Sequence, residues 1–164
     1  GGAGLAHGCG TIAVSLSNRG AGVNTGLQLA AEVPGPLGLD VDGTITANPV
    51  FFARLARTVR GRGQVVHVVT SRSPLGEAET RQELAGLGLA YDFLYLLPDF
   101  GKSIPRCPRP ALSWYEQYLW QKVEYCLAHG IQSFYDDDPK VLALFARHAP
   151  QITLNPGWPS RKSA

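Results

Sequence analysis

From residue 36 onward the sequence alternates short apolar runs with longer stretches of helical period, and few folds accept that alternation. The first run, Leu37 to Val41, gives way to a helix announced by Asn48-Pro49, a cap residue followed by proline at the first helical position. Phe52, Leu55, Ala56 and Val59 form its apolar stripe, and Gly61 with Gly63 stops it. Val65 to Thr70 is a β-branched run broken only by His67, as suits a strand covered on both faces. Gly76 to Leu87 reads as a second helix, Tyr91 to Leu96 as a third strand, and Ser113 to His129 as the longest helix, closed by Gly130. Ile131 to Tyr135 is a fourth strand, Asp138-Pro139 repeats the cap-proline device, and Gln151 to Leu154 is a fifth strand. The pattern predicts a doubly wound, Rossmann-like α/β domain with a five-stranded parallel sheet and helices on both faces.

A chain of 164 residues, 45% hydrophobic, suits one domain with a proper core. Its 15 basic and 13 acidic residues are scattered at a net charge of +2, so composition declares neither a nucleic-acid nor a membrane surface. The apolar runs fall short of the ~20 residues a spanning helix needs, and the first residues lack the basic start and apolar stretch of a signal peptide. Cys9, Cys107 and Cys126 are odd in number and far apart, which favours a reducing, cytoplasmic setting over a disulfide framework or zinc knuckle. Residues 1–35, rich in Gly, Ala and small polar side chains, read as a loosely docked extension; residues 36–154 form the domain, and residues 155–164, with Trp158 between prolines, a peripheral tail. Within the extension, Thr11 to Leu16, the turn Gly20 to Gly26 and a helix from Leu27 to Val33 imitate a nucleotide-binding turn, but the spacing fits neither the dinucleotide fingerprint nor the Walker loop. With no methionine anywhere, the sequence reads as a fragment or a processed chain.

In an open parallel sheet, ligands bind beyond the carboxyl ends of the strands. Here the first strand runs out into Asp40-Val41-Asp42-Gly43-Thr44, the second into Thr70-Ser71-Arg72, and the fourth into Asp136-Asp137-Asp138. Residues two apart in a strand share a side, so Asp40 and Asp42 are expected to lean over one spot. Alone, the pair could be an Asp-Gly turn with a spare acid. Uncovered neighbouring acids repel unless a cation or a substrate proton intervenes. Acids or hydroxyls at three strand ends together describe a metal-bound phosphate site.

Leu39 to Ile45 resembles the Asp-x-Asp-Gly-Thr signature of the haloacid dehalogenase-like (HAD) phosphohydrolases, and Thr70, Lys122 and Asp136-Asp137 are similar to that family's second, third and fourth motifs, in order, across about residues 36 to 154. The resemblance implies a HAD-type magnesium-dependent phosphatase. Asp40 would be the nucleophile that forms an aspartyl phosphate, and Asp42 the general acid and then base. Thr70 would bond a phosphoryl oxygen and Lys122 would supply the cation. Magnesium (Mg2+) would be held by the Asp40 carboxylate, the Asp42 carbonyl and Asp136, with Asp137 orienting the shell. Family caps are inserted after the first motif or the third strand. Here the first gap, Ile45 to Asn48, is a turn and the second, Pro98 to Leu112, a loop, so no separate cap domain and an open site are expected.

Arg72 could fork onto a substrate phosphate, with Gly43 and Ser71 beside it as further substrate contacts, and Arg106 and Arg109 could reach in from the proline-rich loop. Lys102 competes with Lys122 for the cation. Asp138 reads as the cap before Pro139, His67 as a satisfied core histidine, and His7, His129 and His148 form no ligand spacing. Trp114, Tyr115, Tyr118 and Trp120 suit core packing first and base stacking second, since at helical spacing they cannot all face the core. An open site admits a phosphorylated small molecule, a nucleotide or a nucleic-acid end, which favours a nucleotidase or polynucleotide phosphatase. The rival reading is a non-catalytic, receiver-like phospho-sensing or scaffolding domain, against which the second Asp with Gly-Thr argues; a dehalogenase needs no metal and leaves Asp136 and Asp137 unexplained. Oligomeric state and substrate stay open.

Overall fold

The computed structural model describes residues 33–98, 107–109 and 111–157. β1 (Leu37–Leu39) is followed by a wide turn and α1 (Pro49–Gly61), then β2 (Val66–Thr70), α2 (Glu77–Gly86), β3 (Phe93–Leu96), α3 (Trp114–Ala128), β4 (Ser133–Tyr135), α4 (Pro139–His148) and β5 (Thr153–Asn155). The strands lie in the order β3-β2-β1-β4-β5, every pair parallel, with Leu37 opposite both Val66 and Ser133. The expected five-stranded, doubly wound sheet is therefore present. Among the described residues no helix is long and apolar enough to cross a membrane. The Gly20 to Gly26 turn, the segments around it, Lys102, Arg106, His7 and Trp158 lie outside the described residues.

Side-chain alternation along the strands sorts the core into two layers. Leu37, Leu39, Val66 and Val68 face α1 and α2, meeting Phe52, Leu55, Ala56, Val59 and Leu84. Val69 and Phe134 face α3 and α4, meeting Leu119, Val123, Leu144 and Phe145. Gly38 lies on that second face, where a Cβ would come within 2.6 Å of Phe134 Cδ2, so glycine lets the Phe134 ring lie across the central strand.

The helices start where the sequence marks them. Asn48 Oδ1 accepts from the Phe51 N–H at 3.1 Å and Asp138 Oδ1 from the Lys140 N–H at 2.8 Å, each just before a proline. Ser113 and Glu116 form a reciprocal capping box at the head of α3. Asp138 is thus a cap, as its sequence context implied. Boundaries differ by a residue or two, and one difference matters: β1 ends at Leu39, not Val41.

That early ending corrects the expectation that strand alternation is what places Asp40 and Asp42 together. After Asp40 the backbone enters a wide turn in which Ile45 N–H donates to Asp40 O at 3.4 Å and Thr46 N–H to Val41 O at 3.0 Å, with Gly43 at φ 74°. Asp42 is carried off the strand line. Asp40 stays buried while the Asp42 side chain is 63% exposed.

Candidate functional site

The chain winds outward from β1 to β2 and β3, then crosses to β4 on the other side of β1. The crevice above β1 and β4 is therefore the point where the winding reverses, the place in such sheets where neighbouring loops part and leave room for a ligand. Asp40 follows β1 and Asp136 follows β4, and ladder bonds from their N–H groups to Tyr135 O (2.9 Å) and Asn155 O (3.2 Å) fix both backbones. Asp40 shares strand parity with Gly38, and Asp136 with Phe134, so both carboxylates turn to the α3 side. Lys122 comes up from α3 to meet them.

Lys122 Nζ donates to Asp40 Oδ1 at 2.8 Å and to Asp136 Oδ2 at 2.7 Å, with all three side chains nearly out of solvent. Burial pulls the ammonium towards neutrality, but two adjacent carboxylates outweigh it and hold Lys122 charged, above its ordinary range. Burial also pushes the Asp40 carboxyl up to about 7; Lys122 opposes the rise and Asp136 adds to it. Asp136 is raised for the same reason, burial first, against the pull of Lys122. One ammonium shared by two buried acids leaves negative charge uncompensated.

Asp137 completes a cluster. One oxygen each from Asp40, Asp136 and Asp137 lie within 4.8 Å of one another, and the three could hold a metal ion. A set of carboxylate oxygens with no sulfur or imidazole suits a hard divalent cation. Thr44 Oγ1 donates to Asp137 Oδ1 at 3.5 Å. Gly43 lies against the same carboxylate so closely that any Cβ would collide with it.

The cleft above these acids has a volume of about 230 Å³ and is lined by Asp40, Asp42, Thr70, Ser71, Tyr115, Lys122 and Asp136 to Asp138. Thr70 is buried, its Oγ1 accepting from the Arg72 N–H at 3.3 Å. Arg72 has a partner that sequence spacing does not announce. Its Nε and Nη2 grip the two Asp42 oxygens at 2.8 and 2.6 Å, while Nη1 reaches Glu83 on α2 at 2.6 Å. These hydrogen bonds hold the Asp42 carboxyl below the usual carboxylate range against a smaller opposing effect of burial.

Of the residues singled out in the sequence, Asp40, Asp42, Thr70, Ser71, Lys122, Asp136 and Asp137 meet in the cleft; Gly43 touches Asp137 and Arg72 touches Asp42. Arg109 is elsewhere, its guanidinium 5.7 Å from the Trp120 ring centre. His67 is the expected core histidine, bonded through Nδ1 to Tyr125 Oη at 2.9 Å. The aromatic group divides: Tyr118 and Trp120 are buried, while Trp114 and Tyr115 are exposed. Tyr115 lines the cleft, as the helical spacing of the aromatic group allowed for one of its sides. Its place in the first turn of the helix that returns from the carboxyl edge of the sheet was the available signal.

No family model matches the chain, and no curated protein matches it. Among solved structures, a chain of the Pnkp1/Rnl/Hen1 RNA repair complex is similar to it, with a TM-score of 0.51 and 17% identity over 75% of this chain and 42% of that one. This chain spans less than half of that neighbour's length, and at such identity what the two have in common is an α/β fold.

Proposed function

We propose that the chain is a metal-dependent phosphomonoesterase of HAD type working through an aspartyl phosphate, and that residues 36–154 are its phosphatase domain between an N-terminal extension (1–35) and a C-terminal tail (155–164). The observation carrying this reading is the buried Asp40 carboxylate at the switch of the sheet, bonded to Lys122 beside an oxygen-only cluster. Asp40 attacks phosphorus as the ester P–O bond breaks, and the leaving oxygen takes a proton from Asp42. Water then gives its proton to Asp42 and attacks the acyl phosphate, releasing inorganic phosphate and restoring Asp40. Lys122 holds Asp40 in line and neutralises charge on the transferring group; Thr70, Ser71 and the Gly43 turn contact phosphoryl oxygens. Magnesium held by Asp40, Asp136 and the Asp42 carbonyl, with Asp137 orienting that shell, would neutralise the meeting of two anions.

Arg72 sets a condition on the first proton. While it grips Asp42, that carboxyl stays ionised, so Asp42 can act as an acid only after the fork changes partner. A phosphate offers the same bidentate geometry. Substrate binding thereby frees Asp42 to take up from solvent the proton that it then gives to the leaving oxygen.

A nucleic-acid end or nucleotide is the favoured substrate class, in keeping with an open cleft and with a likeness to a chain from an RNA repair complex. Phosphate release from a panel of sugar phosphates, nucleotides and phosphate-terminated oligonucleotides, with magnesium and after chelation, tests this. Magnesium-dependent release from nucleotides or ends is expected. Tight metal and phosphate-analogue binding without release from any ester would point to a receiver-like sensing domain.

A further inference from the structure

A cleft of about 230 Å³ is small for its proposed task, since pockets that enclose whole organic ligands run to roughly 300–1,000 Å³. It takes a phosphoryl group and part of what carries it, short of a whole nucleotide. Whatever part of the ligand the cleft does not enclose must lie beyond its largely acidic lining. Four large apolar side chains stand exposed in the segments that leave the carboxyl edge of the sheet: Val50 at the head of α1 (63%), Leu75 after β2 (89%), and Trp114 and Tyr115 at the head of α3 (48% and 36%). Tyr115 also lines the cleft itself.

Resting on the phosphatase reading, we propose that Trp114 and Tyr115 form a stacking platform for the nucleobase next to the scissile phosphate, in a mononucleotide or in the terminal residue of a nucleic acid. An exposed aromatic side chain that lines a phosphate cleft, with a second exposed one next to it in the chain, suits a nucleotide, which joins a phosphate to a flat ring through one sugar. The charge at the mouth agrees. Asp42, Asp137 and Asp138 line it, so a ligand with one phosphate in the cleft and a neutral ring on the rim is favoured over one that lays further anions there. Tyr115 is held by its hydroxyl, which donates to Asp138 Oδ2 at 3.4 Å, and Lys140 Nζ lies 4.9 Å from its ring centre. An exposed cation–π contact is weak, so a base can displace the ammonium and leave it to a phosphate oxygen of the same ligand.

The test is equilibrium binding to the full chain carrying Asp40→Asn, with magnesium, of a nucleoside monophosphate, a pentose phosphate and a short phosphate-terminated single strand. The nucleotide should bind roughly ten-fold more tightly than the pentose phosphate, the scale of one base–aromatic stack. Trp114→Ala or Tyr115→Ala should remove that advantage and Tyr115→Phe should keep it; both positions are exposed, so the core is left intact. A single strand bound more tightly than the mononucleotide assigns the platform to nucleic-acid ends, and equal binding assigns it to nucleotides; either supports it. Equal affinity for nucleotide and pentose phosphate, as a rim made for a protein partner would give, overturns it, as does an advantage that survives both alanine variants. Base-dependent binding by an unsubstituted chain that hydrolyses no ester would refute the phosphatase reading alone, whereas hydrolysis without base preference would refute the platform alone.

Discussion

Lys122 sits on a helix, where lysine ordinarily faces water, yet it is 2% exposed and bonded to two carboxylates. Replacing it by methionine keeps the stem and leaves two buried acids sharing no cation. Lys122→Met should lower stability by about 3–5 kcal/mol in urea unfolding without metal, and magnesium should recover part of the loss; a change under about 1 kcal/mol would mean that the acids do not depend on it. Gly43 gives a second measurement. A side chain there meets both a positive φ and the Asp137 carboxylate, so Gly43→Ala should cost about 1–2 kcal/mol of stability and weaken magnesium binding in calorimetry. At this scale the sequence was informative where a residue's place follows from strand ends: Asp40, Thr70 and Asp136 were legible. The Asp42–Arg72 grip was not, because its partners lie 30 residues apart and meet only after the chain leaves β1 early through bonds five residues long.

Elements were legible through their caps and periods, and less so at their ends. The capping box of α3 satisfies its first donors inside one turn, so Ser113→Ala should cost about 1 kcal/mol in thermal or urea unfolding. The third strand begins at Phe93, two residues later than its sequence pattern indicates, because nothing in the sequence reveals that Asp92 turns back to accept from the Val66 N–H at 2.9 Å and ion-pair with Arg60. His67 on β2 packs between Phe93 and Tyr125, with His129 just after α3 and Asp92 before β3 nearby. Burial, helped by His129 and opposed by Asp92, keeps its pKa below the ordinary histidine value. The folded protein therefore takes up this proton less readily than the unfolded chain, and stability falls as pH drops below about 6.5. The stability lead of the native chain over His67→Gln should shrink between about pH 7 and pH 5, read from urea unfolding at each pH; a constant difference would place the histidine elsewhere in the balance.

At the scale of the molecule, the alternation of runs and helical periods predicted the sheet and both covered faces, because each element's pattern records which sides are buried. Strand order is set by packing between distant segments, and it decides where the site can be. Only the return of β4 beside β1 brings Asp136 to Asp40, and only the two-layer core brings Lys122 up between them. The proposed reaction stands or falls on Asp40 as the attacking group. The direct measurement is the initial rate of p-nitrophenyl phosphate hydrolysis with magnesium by the native chain and by Asp40→Asn. Turnover that chelation stops and Asp40→Asn abolishes is the predicted result; turnover untouched by the substitution, or none with any divalent metal, would contradict it.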